Sequence, residues 1–98
     1  MNLDKTDSRI LLAKAVFFFL GEVRMLELKA KVLDIVSNKR EILLNSSDAD
    51  SEGINVYDRV ALSINGNRTI VMVEITKSFI DPGYVGIYGN VQSELNVG

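Results

Sequence analysis

The sequence predicts a mainly β domain: a closed, interlocked barrel made of two related halves and preceded by an apolar helix. Apolar and polar residues alternate with period two in several short stretches, which is typical of half-buried strands. Asn65-Gly66, where both residues tolerate positive φ, predicts a tight hairpin between two of these stretches. A unit of short strand, capped short helix and hydrophobic-Asn-Val segment occurs twice. Two such units related by a pseudo-two-fold axis favour a barrel, because closure removes the sheet edges.

The composition limits the chemistry that this chain can perform. Its 98 residues suit one domain, and they contain no cysteine and no histidine. Without cysteine there is no disulfide, zinc–thiolate site or thiol nucleophile, and the chain fits a reducing compartment, which we take to be the cytoplasm. Without histidine, the commonest metal ligand and the commonest general base near neutral pH are both missing. We therefore predict no cofactor and expect no enzymatic activity from this chain alone.

The charges are unevenly spread along the chain. The net charge is −2, with eight Lys and Arg against five Asp and Glu in residues 1–40, and three against eight in residues 41–98. A nucleic-acid-binding domain clusters its basic residues on one face. The acidic C-terminal part, and the absence of aromatic residues among the basic ones before it, argue against a nucleic acid as partner.

Residues 1–24 are predicted to be an extension in front of the barrel domain, which would occupy residues 25–98. Residues 10–20 are apolar apart from Lys14, and they are too few to span a bilayer as a helix. They predict an apolar helix that starts after Ser8, ends at Gly21 and packs on the domain or on a partner. Two alternatives stay open: an extension with little role, and a weaker one in which this stretch contacts a membrane.

Alternation and turn residues define the elements that follow. Residues 26–34 predict a strand, a polar turn follows, and residues 41–44 predict a second, short strand. Ser46 or Ser47 is expected to cap a short helix with an acidic first turn, because carboxylates are favourable at the positive end of the helix dipole. Gly53 is expected to end that helix in a left-handed conformation.

The second half repeats this plan after the hairpin. A strand that ends at residue 64 returns through Asn65-Gly66 as a strand over residues 68–76, and Asp81-Pro82-Gly83 predicts a turn. Residues 84–88 predict a further strand, and a cap at Asn90 predicts a second short helix.

The second repeat ends where the first continues into a strand. Ile54-Asn55-Val56 leads into the strand from Asp58, whereas the matching Leu95-Asn96-Val97 is followed only by Gly98. The barrel is therefore expected to lack its last strand, or to end before it, which would leave a sheet edge with unpaired N–H and C=O groups at residues 84–88. We expect residues 10–20 or a second subunit to cover that edge.

Two motifs with possible chemistry fail on their spacing. "DADSEG" resembles the start of a calcium loop, but Arg59 stands where that loop needs a bidentate carboxylate. "GYVGIYG" spaces its glycines by three and does not match G-x-G-x-x-G. No serine–histidine set is possible, and nothing in the spacing pairs two carboxylates. We therefore predict no catalytic, cofactor-binding or metal-binding residue.

Three stretches, "MLELKAKVLDI", "EILLNSSDADSEGINVYDRVAL" and "ITKSFIDPGYVGIYGNVQSELNVG", resemble the N-terminal domain of archaeal AMP phosphorylase, a thymidine phosphorylase-like enzyme of nucleotide salvage. The resemblance covers residues 25–98 and implies a double-psi β-barrel. That plan is also similar to the N-terminal barrels of AAA-type unfoldases. The chain departs from the pattern in three ways: Tyr57 stands where the family has glycine, the sequence stops before the last strand and the catalytic domains, and residues 1–24 are additional.

The resemblance implies a role in assembly. Enzymes of that family are glycosyltransferases that convert AMP and phosphate into adenine and ribose 1,5-bisphosphate, and this domain supports their large homo-oligomers. The expected partners are therefore other copies of the chain or the catalytic domains of the same enzyme. The alternative is a stand-alone barrel that binds a protein or peptide, as unfoldase N-terminal domains do. The candidate interface residues are Phe17, Phe18, Phe19, Tyr57, Asp58 and Arg59.

Overall fold

The computed structural model describes residues 11–97, which form six strands and two short helices. In chain order they are β1 (Leu11–Phe19), β2 (Glu22–Val32), β3 (Glu41–Asn45), α1 (Ser46–Glu52), β4 (Arg59–Ile64), β5 (Asn67–Thr76), β6 (Tyr84–Ile87) and α2 (Gly89–Leu95). The strands close into one barrel in the order β1-β2-β6-β3-β5-β4. The predicted mainly β fold and its closed barrel are confirmed.

Antiparallel hairpins, parallel pairs and two antiparallel seams build the barrel. β1–β2 and β4–β5 are hairpins, β2–β6 and β3–β5 are parallel, and β3–β6 and β1–β4 are the seams. Every second residue of each strand points inward, as the period of a strand requires. Ile42, Leu62, Val73 and Ile87 are among the residues that fill the interior.

A pseudo-two-fold axis relates two halves of the barrel. One half contains β3, α1, β4 and β5, and the corresponding places in the other are taken by β6, α2, β1 and β2. Each half has a hairpin whose two turn residues both have positive φ: Asn65 and Gly66 at 53° and 85°, Leu20 and Gly21 at 53° and 80°. These φ values are those of a type I′ turn, whose twist matches that of paired strands. The symmetry therefore gives β1 the place that corresponds to β4.

The apolar stretch at the start of the chain is a strand, so the predicted helix over residues 10–20 is wrong for the described part. Leu11–Phe19 form β1, with Ala13, Ala15 and Phe17 buried and the residues between them outside the barrel or half-buried. A continuous apolar run of this length fits a strand or a helix equally well by periodicity alone. The pairing with β2 and β4 decides for the strand. Ser8, the expected cap, lies outside the described residues.

Within residues 11–97, no gap remains in the barrel where a strand was expected to be missing. β1 pairs with β2 through nine residues and with β4 through four, and so joins those two strands. β6 is paired on both sides, by β2 and β3, and the edge expected at residues 84–88 is therefore not open. The expectation that residues 10–20 or a second subunit cover that edge is therefore wrong: residues 11–19 close the barrel at another place, between β2 and β4, and they do so as a strand. The expected division between residues 24 and 25 falls inside β2.

The helix N-termini use other residues than those predicted. Asn45, rather than either of the following serines, caps α1: its Oδ1 accepts a hydrogen bond from the backbone N–H of Ser47 at 2.8 Å. The Nδ2 of Asn45 also donates to the carbonyl of Ile80 at 2.7 Å, within the protein interior. The N-cap of α2 is Tyr88, which makes no side-chain capping bond, so the expected cap at Asn90 is wrong.

Both helices end in the same way, which corrects the alignment of the repeats. Gly53 and Asn96 adopt the left-handed conformation. The buried residue after each of them, Ile54 or Val97, donates its N–H back to a carbonyl of the last helical turn. This is a Schellman motif. Ile54 thus corresponds to Val97, two residues beyond the Leu95 that sequence similarity pairs with it. Neither helix in residues 11–97 is long and apolar enough to cross a membrane.

Candidate interface

The three adjacent phenylalanines at the end of β1 have three different environments. Phe17 points into the barrel and is only 6% exposed, so it belongs to the core rather than to the surface. Phe18 points outward and is 76% exposed. Phe19 is half-buried and lies against the end of α1. Of the three candidates, Phe18 is the one that presents its ring to solvent.

Phe19 holds the tip of the β1–β2 hairpin against α1. A Cβ at Gly53 would lie 2.7 Å from Cε1 of Phe19, so a residue with a side chain at that position would clash with the ring. The Arg24 guanidinium lies 5.5 Å from the centroid of the same ring, a cation–π distance. Arg24 is also 3.6 Å from the Glu52 carboxylate. Because successive residues of a strand face opposite sides, Phe18 lies on the side of the hairpin that is away from these contacts.

A continuous apolar area covers the outer face of four neighbouring strands. Met25, Val16, Ala61 and Ile70 are cross-strand partners in one row across β2, β1, β4 and β5. In the next row, towards the β1–β2 turn, Phe18 stands opposite Val23. Five of these outward side chains are more than half exposed, namely Phe18, Leu20, Val23, Met25 and Ile70. We call these five, together with the half-buried Val16, Ala61 and Met72, the apolar sheet face.

The other three predicted interface residues lie at the start of β4, next to the end of β1. Tyr57 has a φ of 72° and is exposed, and its N–H donates to the Val73 carbonyl at 2.7 Å. The turn thus uses the left-handed conformation that glycine would adopt more cheaply. The Asp58 carboxylate accepts a hydrogen bond from the Asn55 N–H at 2.8 Å and so braces this turn. Its contact role with a partner stays a prediction.

The strand register places the two predicted groups at the same end of the barrel, but they are not paired with each other. The β1–β4 pairing runs from Ala13–Ile64 to Val16–Ala61 and stops there. Beyond it β1 and β4 are not paired, and Phe18 and Arg59 lie at the margins of the apolar sheet face. Arg59 also lines a surface groove of about 260 Å³, together with Arg40, Ile70, Val71 and Met72. Arg40 is already paired with Glu94, at 2.8 Å.

Of the apolar sheet face, only Phe18 was among the sequence-based candidates, and the other seven residues were missed. The signal was present in the sequence. Once residues 11–19 are recognised as a strand, the alternation of Val16 and Phe18 on one strand and of Val23 and Met25 on the next places these four on one face, with Leu20 in the turn between the two strands.

The titratable groups of the described chain show one pKa shift. Burial raises the pKa of Tyr88 above its ordinary value of 10.0, and the negative charges of Glu41 and Glu74 raise it further. No group of three acidic side chains within residues 11–97 is close enough to hold a metal ion. In this part of the chain, the surface feature that stands out is therefore the apolar sheet face.

The fold and this face define a small closed β-barrel domain of two related halves with an apolar outer face. No protein-family model matches the chain. It is similar to AMP phosphorylase of Methanospirillum hungatei, with 34% identity over 74 residues, and to that of Methanocella arvoryzae, with 33% identity over 72 residues. Each match covers 74% of this chain and 14% of the relative. The AMP phosphorylase of Natronomonas pharaonis matches with 30% identity over 61 residues.

These matches confirm the resemblance to AMP phosphorylase, and the chain is homologous to a small part of that enzyme. The chain spans about one seventh of the length of the curated relatives it matches.

Proposed function

We propose that this chain acts as a non-catalytic assembly domain in a protein related to AMP phosphorylase. Two observations support the proposal: the homology to a small part of that enzyme and the apolar sheet face. Exposed apolar patches of this kind mark surfaces that bind another protein. The observation that carries the assembly role is this face, because the homology alone does not say what the domain contacts.

The parent reaction of such a protein would be the phosphorolysis of AMP to adenine and ribose 1,5-bisphosphate, with catalytic residues outside this chain. The composition supports this division of labour, since the chain has no histidine and no cysteine. It also supports a cytoplasmic location, which is part of the same proposal.

Deletion in a relative tests the assembly role directly. In the AMP phosphorylase of Methanospirillum hungatei, removal of the matched segment of 74 residues should lower the molecular mass of the assembly. The phosphorolysis rate per remaining active site should change much less, because the segment contributes no catalytic group. Light scattering and a phosphate-dependent assay for adenine release measure the two quantities. An unchanged mass would contradict the assembly role, and adenine release by the present chain alone would contradict its lack of an active site.

A peptide-binding barrel is the second candidate, and one observation favours it. β2 is paired with β6 only from Lys29 to Val32, where the N–H of Lys29 donates to the Gly83 carbonyl at 2.9 Å. Backbone N–H groups alternate in direction along a strand, so those of Val23, Met25 and Glu27 point to the same side. Among residues 11–97 no strand pairs with β2 there. Such an edge can accept an extended peptide. A chain that is monomeric at every concentration and captures extended peptides would favour this candidate.

A further inference from the structure

The internal symmetry of the barrel shows that its construction does not require an apolar surface at the β1–β2 tip. Counted from the two turns, Phe18 corresponds to Ser63, Leu20 to Asn65 and Val23 to Arg68. The β4–β5 hairpin therefore has the same turn geometry and the same strand pairing with polar residues at these three places.

The central row of the face is apolar in both halves. Met25 corresponds to Ile70, and Val16 corresponds to Ala61. The apolar sheet face thus extends from the symmetry axis towards the β1–β2 tip and ends before the β4–β5 tip. The next row towards the β4–β5 tip is polar and forms a margin of the face; it contains Glu27, Lys14, Ser63 and Arg68.

We propose that the apolar sheet face is the surface through which two copies of this chain associate, face to face. This inference rests on the proposed assembly function and names the surface that performs it. Two sheets can pack in this way with their faces about 10 Å apart. The contact is isologous, because the same patch on each copy contacts its counterpart about a two-fold axis.

The size of the face fits a second copy as its occupant. Five side chains that are each more than half exposed, at roughly 100 Å² apiece, make a patch of about 500 Å², which is in the upper range of the largest patch on a typical monomer, a patch that is often functional. Two such patches bury about 1,000 Å² together, which reaches the lower limit of a specific protein interface. The polar margin carries charges of both signs, Lys14 and Glu27, and Arg59 lies at the opposite margin, beside Met72.

Phe18 and Val23 are the side chains whose removal should weaken association most. They are direct cross-strand partners, they lie at the tip, and their symmetry equivalents are polar. The double variant Phe18→Ser, Val23→Arg transfers to this tip the residues that the barrel already tolerates at the other. The control is Arg68→Glu, which alters the position equivalent to Val23 outside the apolar sheet face.

Sedimentation velocity of the whole chain over a concentration series tests the proposal. The unaltered chain and the control should approach the mass of a dimer as concentration rises, and the double variant should raise the dissociation constant by more than about thirty-fold. If the double variant associates like the unaltered chain, the apolar sheet face is not the contact surface. Self-association, and with it the assembly role, would still stand in that case. An unaltered chain that is monomeric throughout would overturn both. An equal loss of association in the control variant would overturn the proposal that the apolar sheet face is the contact surface.

A second measurement on the unaltered chain covers the case in which the double variant does not fold. Methyl NMR signals of Val23, Met25 and Ile70 should shift on dilution, because these groups leave the contact. The signals of Leu62 and Val73, inside the barrel, should stay in place. Shifts confined to other surface methyl groups would overturn the proposal.

Discussion

Leu20 holds a left-handed backbone conformation that asparagine and glycine adopt readily and leucine does not. Its φ is 53°, the same as that of Asn65 at the equivalent position of the other hairpin. A left-handed conformation costs an ordinary L-residue about 1–2 kcal/mol. The two turns therefore have the same backbone conformation, with a favourable residue, Asn65, in one and an unfavourable residue, Leu20, in the other.

Leu20→Asn should raise the free energy of unfolding by about 1 kcal/mol, because it removes this backbone penalty. The reverse change in the other turn, Asn65→Leu, should lower it by a similar amount. Urea denaturation of both variants measures the two effects. Changes of the same sign in both would show that side-chain contacts, and not the turn conformation, dominate.

Tyr88 makes the stability of the barrel sensitive to alkaline pH. Its pKa is raised above 10.0 in the folded chain, chiefly by burial and further by Glu41 and Glu74, so the folded state retains the phenol proton more strongly than the unfolded state does. The stabilisation is fully present below the ordinary pKa and is lost as the pH rises through the folded pKa. The free energy of unfolding should therefore fall as the pH is raised above about 10.

Tyr88→Phe should flatten this alkaline decline, because the group that releases the proton is gone. Denaturant titrations of the variant and the unaltered chain, on both sides of that pH, make the comparison. Tyr57→Phe, at an exposed tyrosine, is the control and should decline as the unaltered chain does. An equally steep decline in Tyr88→Phe would assign the effect to other groups.

At the scale of elements, Asn45 connects three parts of the chain. It ends β3, caps α1 through its Oδ1, and holds the loop before β6 through the bond from its Nδ2 to the Ile80 carbonyl. It is the buried polar residue of the described core, at 4% exposure. A buried amide is tolerated here because both its donor and its acceptor have partners.

Asn45→Ala should lower the free energy of unfolding by about 2–3 kcal/mol, since it removes the cap and leaves the Ile80 carbonyl unpaired in the interior. Asn90→Ala is the matched comparison. Asn90 also bridges two backbone groups: its Oδ1 accepts a hydrogen bond from the Ser37 N–H and its Nδ2 donates to the Lys39 carbonyl. Asn90 is only half-buried, however. Its loss should cost about 1 kcal/mol. Equal costs for the two variants in thermal or urea unfolding would contradict the role given to burial.

For the whole molecule, β1 decides whether the barrel is closed. It contributes three buried core residues, Ala13, Ala15 and Phe17, and forms the seam with β4. Without it the adjoining edges of β2 and β4 would be unpaired and the interior around Leu28 and Leu62 open to water. Residues 11–19 are therefore part of the domain, although the family resemblance starts only at residue 25.

Removal of residues 1–21 should abolish cooperative unfolding, because the remaining strands cannot enclose the core. Far-UV circular dichroism during heating shows this loss, and the dye ANS should bind the exposed apolar interior. Removal of residues 1–10 alone is the control and should leave a cooperative transition. A fragment without residues 1–21 that melts cooperatively at the temperature of the whole chain would show that β1 is dispensable.

Much of this fold is determined locally and could be predicted from the sequence. The Asn65-Gly66 hairpin, the short helix ended by Gly53 and the two-half plan each depend on residues close together in the chain, whose conformational preferences act within a few residues. The place of residues 11–19 was not predictable in this way, because the edge at residues 84–88 that they were expected to cover is paired by β2 and β3, and they lie between β2 and β4 instead.

Tertiary structure decided what local preference leaves ambiguous. The run from residue 11 to 19 is compatible with a helix or a strand, and only the vacant position between β2 and β4 selects the strand. The strand conformation also determines the environments of the phenylalanines, because successive side chains of a strand point to opposite sides: Phe17 lies inside the barrel and Phe18 outside. The apolar sheet face arises in the same way: its residues come from β1, β2, β4 and β5, far apart in sequence, and share a surface only because the barrel closes.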